Sequence, residues 1–129
     1  MDSPEEINKR VAEALGWGVS QSVTGSWRWF CGQIPKTDAK PTRESAERNL
    51  PDFCRDASAA DLVRQEIERR MWEWDTETRL VAGVRSWWAC ATATPSDAGD
   101  STRWKQSLSS PHMALCLAFL ATHDEQPTE

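Results

Sequence analysis

Several signatures are missing from this chain, and each absence removes a class of function. No apolar run approaches the roughly 20 residues of a membrane span; the longest, MALCLAFLA, is far shorter. No membrane association is therefore expected. There is no basic excess, since 15 Lys+Arg face 20 Asp+Glu for a net charge of −5. A nucleic-acid binder carries a basic stripe, so direct sequence-specific nucleic-acid binding is not expected. The acids are also too evenly interleaved with bases for a dedicated nucleic-acid mimic. There is no CxxC among the four cysteines, Cys31, Cys54, Cys90 and Cys116. Zinc sites usually gather ligands in close pairs, so no metal is expected. The opening MDSPEEINKR has no apolar stretch of the kind a secretion signal needs. The thiols are thus read as reduced, small apolar fillers. No phosphate-binding glycine loop, HExxH or GxSxG occurs, so no cofactor and no reaction is legible.

What is present is tryptophan: 8 Trp with 3 Phe and no Tyr, in 129 residues. That length suits one domain with one modest core, spanning 1–129. Ser3-Pro4-Glu5-Glu6 reads as a helix start, with Ser3 as cap, Pro4 at the first helical position and Glu6 closing a capping box. Ile7, Val11, Ala14 and Leu15 recur at helical spacing, and Gly16 supplies a left-handed stop. Gly18 to Gly25 reads as a polar connection. In SWRWFCGQI, Trp27, Trp29 and Cys31 alternate with Arg28 and Phe30, which predicts a strand. Residues 36–49 read as a polar surface insertion with a helical turn after Thr42.

NLPDFCRDASAADL concentrates acids beside a cysteine and an aromatic. Pro51 keeps Leu50 extended, and Asp56 or Ser58 can cap a helix from about Ala57 to Arg69. Acids placed there satisfy orphan amides and suit the helix dipole, so the structural reading outweighs a catalytic one. RMWEWDTETRLVAGVRSWWACATA carries two alternating runs around Ala82-Gly83 and reads as a hairpin. A turn-rich insertion at about 97–110 precedes a last helix opened by Ser110-Pro111, in which Leu115, Cys116 and Phe119 should be buried. From about 122 the chain reads as a disordered tail. The order predicts an α+β layered domain, an antiparallel sheet of about three strands packed by three helices.

Three segments, INKRVAEALGW, LPDFCRDASAADL and WWACATATPSD with ALCLAFLAT, resemble the phage ABA sandwich domain family of small phage and prophage proteins. Phe53 stands where that family often has Tyr, and the stretches at 36–49 and 97–110 depart from its pattern. The resemblance implies a layered α/β fold, a phage or prophage origin and a place in the host cytoplasm. It carries no catalytic residues to transfer.

The tryptophans admit two uses. Trp27 with Trp29, and Trp72 with Trp74, could make an aromatic platform edged by Arg28, Arg70 or Arg85, suited to stacking on a nucleotide. The competing reading is core packing. Trp104, flanked by Arg103 and Lys105 in the polar STRWKQS, is the candidate partner-contact residue, since Trp and Arg dominate interface hot spots. His112 and His123 flank the last helix too far apart to share a metal. The expectation is a non-enzymatic phage accessory protein that inhibits a host defence protein or complex by contact. Alternatives are a sponge for a nucleotide-derived immune signal and a small enzyme; a homodimer is left open.

Overall fold

The computed structural model describes residues 3–93, 104–107 and 109–125. The chain divides into two compact units, Met1–Pro51 and Asp52–Glu129. Among the described residues it is an α+β protein with four helices and two three-stranded antiparallel sheets.

In the first unit, helix α1 (Pro4–Ala14) starts as its sequence dictates: the Ser3 side chain accepts from the Glu6 amide at 3.3 Å. Ile7, Val11 and Ala14 are buried, and Gly16 turns the chain with φ +87°. Strand β1 (Trp17–Gln21) follows, where a polar connection was expected. Its sequence WGVSQ is a weak strand signal. Pairing with β2 (Trp27–Cys31) supplies what propensity lacks, setting Trp17, Val19 and Gln21 opposite Cys31, Trp29 and Trp27. A two-residue strand β3 (Ile34–Pro35) completes the order β1-β2-β3. Helix α2 (Arg43–Arg48) lies inside the expected insertion at 36–49, and Thr42 and Ser45 form a reciprocal capping box. Trp29 is the centre of this unit, 2% exposed, with its indole N–H donating to the Ala46 carbonyl at 2.9 Å.

In the second unit, Asp56 caps α3 (Ala57–Arg69) by accepting from the Ser58 amide at 3.0 Å, as the sequence predicted. The helix ends before Trp72, and Met71 reverses the chain at φ 63°. Strands β4 (Glu73–Val81) and β5 (Val84–Thr92) form the expected hairpin. Ala82 (φ 52°) and Gly83 (φ 80°) make its two-residue turn, both in the left-handed region a type I′ turn needs. Strand β6 (Lys105–Ser107) joins the far edge, in the order β4-β5-β6.

Helix α4 (Pro111–Glu125) buries Leu115, Cys116 and Phe119 as expected. It also runs past 122, where a frayed tail was expected, because the Thr122 hydroxyl donates to the Ala91 carbonyl at 2.5 Å. The start of α4 is tied to the turn before α3. The Ser110 hydroxyl accepts from the Met113 amide at 3.0 Å and donates to the Cys54 carbonyl at 2.5 Å. The Cys116 thiol donates to the Phe53 carbonyl at 3.3 Å. Residues 97–103 of the expected 97–110 insertion lie outside the described residues.

Candidate functional site

The hairpin register assigns every side chain of the second sheet to a face. Residues opposite each other in an antiparallel ladder share a face, and neighbours along a strand alternate. One face carries Trp74, Thr76, Thr78 and Leu80 of β4 with Trp87, Ala89 and Ala91 of β5. It is turned to the helices: Trp74 and Thr76 share a groove with Ala57, Ala60, Asp61 and Arg64 of α3 and His112 and Leu115 of α4. The other face carries Asp75, Glu77 and Arg79 of β4, with Cys90, Trp88 and Ser86 of β5 opposite them. Trp104 falls on this second face by continuation of the β5–β6 register, one step beyond the Ala89–Lys105 pair.

The Arg79 guanidinium lies over the Trp88 ring at 4.2 Å and within 5.9 Å of the Trp104 ring. Glu77 holds it with carboxylate contacts of 2.8 Å to Nε and 2.6 Å to the terminal nitrogen. The Trp88 indole N–H donates to the Ser86 hydroxyl at 2.9 Å, which fixes the ring. Two indoles and a guanidinium are thus assembled on one sheet face by strand alternation alone. Beside them lies a shallow groove of about 230 Å³ lined by Glu73, Trp74, Asp75, Cys90, Thr92 and Trp104. Cation–π pairs of this kind are worth about 0.5–1 kcal/mol where exposed and more when a partner excludes water.

The residues nominated from sequence end up in different places. Trp104 is half-buried, on the sheet face that carries Trp88 and Arg79. Lys105 faces the other way, paired with Ala89, and Arg103 lies outside the described residues. Trp27 and Trp29 do not form an open platform. Trp29 is the core of its unit, and Trp27 is half-buried with Arg43 at 5.7 Å over its ring. Arg28 points to the opposite face of that sheet, since neighbours on a strand alternate. Trp72 packs on Phe119 with ring centroids 6.1 Å apart, under the Arg70 guanidinium at 5.0 Å. Trp74 is half-buried and lines both grooves. The two tryptophan pairs belong to different units.

Arg79 and Trp88 were missed. The signal was present: a two-residue turn at Ala82-Gly83 fixes the register, and counting outward from it puts both on one face.

Other polar clusters serve the fold. Arg70 donates to Glu66 at 2.6 Å and to His123 Nδ1 at 2.8 Å while covering Trp72 and Phe119. Burial raises the Glu66 carboxyl, but the hydrogen bonds and charges of Arg69 and Arg70 outweigh it and hold the group below its ordinary range. Burial first, then the Arg70 charge, lowers His123. The Cys116 thiol is pushed far up by its Cys54 neighbour and by burial, so it stays protonated and inert. All four cysteines are free thiols. Among the described residues, no three His, Cys, Asp or Glu side chains gather as a metal site, and no helix is long and apolar enough to cross a membrane. Comparison with protein-family models, curated proteins and solved structures gives no match.

Proposed function

We propose that the chain is a non-enzymatic binding protein and that the Trp88–Arg79–Trp104 face is its contact surface for a protein partner. The observation that carries this reading is the guanidinium laid 4.2 Å over Trp88 and 5.9 Å from Trp104 on the sheet face turned away from α3 and α4. Trp and Arg are the residues whose truncation costs most at interfaces, because they bury large rigid area and keep a polar handle. Glu77 holds Arg79 in place before binding, so little rotamer freedom remains to be lost. The three segments resembling the phage ABA sandwich family point to a phage or prophage accessory protein in the host cytoplasm. A host defence protein or complex is then the partner class.

The test is retention of a host protein by wild-type chain and its loss by Arg79→Ala and Trp104→Ala, each with an unchanged circular dichroism spectrum. Each variant should weaken binding of the identified partner by about 2 kcal/mol or more, roughly 30-fold. Equal retention by a Trp88→Ala/Arg79→Ala/Trp104→Ala triple variant would overturn the assignment.

A second reading, a sponge for a nucleotide-derived signal, is favoured by one feature. The groove of about 330 Å³ between β4 and the helices sets Trp74 beside Arg64 and His112. Its mark would be nucleotide released on denaturation and lost from Trp74→Ala.

A further inference from the structure

We propose that β4 is a self-pairing edge and that two copies of the chain join through it into one six-stranded antiparallel sheet. This does not rest on the partner-binding reading and is measured on purified chain alone.

A two-residue turn closes on a hydrogen-bonded pair, here Val81–Val84. The odd-numbered residues of β4 therefore direct their amides and carbonyls at β5. Trp74, Thr76, Thr78 and Leu80 direct theirs at the open edge. Among the described residues, one protein group meets these outward donors: the Asp75 carboxylate accepts from the Thr76 amide at 2.8 Å. The strand is nine residues long with no proline, glycine or bulge to blunt it. Its end also carries exposed apolar side chains, Leu80 at 67% and Val81 at 68%.

The sequence of β4 is complementary to itself when read backwards. In an antiparallel pairing centred on Glu77, Asp75 falls opposite the second copy's Arg79, and Arg79 opposite its Asp75. Trp74 meets Leu80 and Thr76 meets Thr78, pairs of the kinds that stabilise sheets. The pairs Trp74–Leu80 and Thr76–Thr78 are also the ones whose backbone groups face outward. The two central Glu77 side chains are each held by their own Arg79 at 2.6 Å, which offsets their repulsion. Slipping the register by two residues is opposed in either direction. One slip sets Asp75 against Glu77 twice; the other sets Glu77 against Arg79 but leaves Glu73 and Trp74 off the ladder and so gives up a hydrogen-bonded pair. The Asp75 bond to the Thr76 amide is exchanged on pairing for Arg79 of the second copy and a ladder hydrogen bond.

Sedimentation equilibrium on four samples tests this. The wild-type chain should weigh twice its 14.6 kDa at micromolar concentration. Asp75→Arg and Arg79→Asp should each be monomeric, because each sets like charges opposite one another at two places. An equimolar mixture of the two variants should recover the dimer, since the charges are then complementary at both places. A wild-type chain that stays monomeric to hundreds of micromolar overturns the proposal, whether or not β4 accepts a strand from another protein. So does a dimer that survives both single substitutions. Should either variant unfold, Glu77→Cys gives an independent reading. That thiol lies on the two-fold axis and should cross-link two chains under mild oxidation, beyond any wild-type background from half-buried Cys31; no added cross-link overturns the pairing.

Discussion

Phe119→Ala is expected to remove most of the stability of the second unit. The ring is 0% exposed and is the hub of an aromatic cluster, with Trp72 at 6.1 Å, His123 stacked at 6.0 Å and the Arg70 guanidinium at 5.2 Å. Truncating a buried Phe to Ala costs about 3–5 kcal/mol through lost transfer energy and the cavity left behind. A unit the size of Asp52–Glu129 holds about 4–12 kcal/mol in all. The Arg70 position makes the upper half of the cost the relevant one. With the ring gone, one face of the guanidinium loses its cover while Glu66 and His123 still hold it in place. Phe119→Leu keeps most of the volume and should cost about 1.5 kcal/mol or a little more, the surplus being the lost ring contacts. Urea denaturation followed by indole fluorescence reads this directly, because Trp72 lies against the substituted ring. Equal midpoints for the Ala and Leu variants, or a cost below about 1 kcal/mol for Ala, would refute the hub reasoning.

Asp56→Ala should cost about 0.5–2 kcal/mol by orphaning the first amides of α3, and Asp56→Ser should restore most of it; thermal melts of the three proteins check this. Stability should fall in acid in two stages, since folding lowers both His123 and Glu66. The unfolded chain then binds protons first, so the His123 contribution is complete above about pH 6.5 and declines below it, and the Glu66 contribution is lost on further descent through the carboxylate range. His123→Gln should abolish the first stage and leave the second, read as chemical-denaturation midpoints against pH. Ala82→Asn should stabilise the hairpin by a few tenths of a kcal/mol or more, because Asn tolerates φ near 52° better than Ala, whereas Gly83→Val at φ 80° should destabilise it by about 1 kcal/mol or more; melts of both variants decide it.

Elements with a local cause could be read from the sequence. Ser3-Pro4, Thr42 and Asp56 each announce a helix through the side-chain oxygen that satisfies its first amides, and all three caps are in place. Ala82-Gly83 announces its turn through a left-handed conformation at both positions, which matches strand twist. Elements with a distant cause were not legible. WGVSQ is a strand because Trp29 lies across the ladder from Val19, and the Trp17–Gln21 segment alone does not say so. Lys105–Ser107 is a strand because β5 offers an edge. The extent of α4 is likewise settled by Thr122 reaching Ala91, a partner 31 positions away.

The same division explains why the site was half found. Trp104 drew attention as an apolar residue in polar company, a local oddity. Trp88 gives no such local sign, because it sits in SWWACA among some of the most apolar residues of the chain. Burial is decided by face, however, and face is decided by register. With Val81 opposite Val84, Glu77 must lie opposite Trp88 and Arg79 opposite Ser86. A ring with acidic and basic neighbours across the ladder cannot be on the apolar face, whatever its neighbours along the strand are. Trp87, one position earlier, has Thr78 opposite it and lies on the helix side for the same reason. A single-residue slip of β5 against β4 would exchange the two indoles, carry Trp88 to the helix side away from Arg79 and dismantle the contact face. The conformation of Ala82-Gly83 is therefore part of the site, although neither residue touches it.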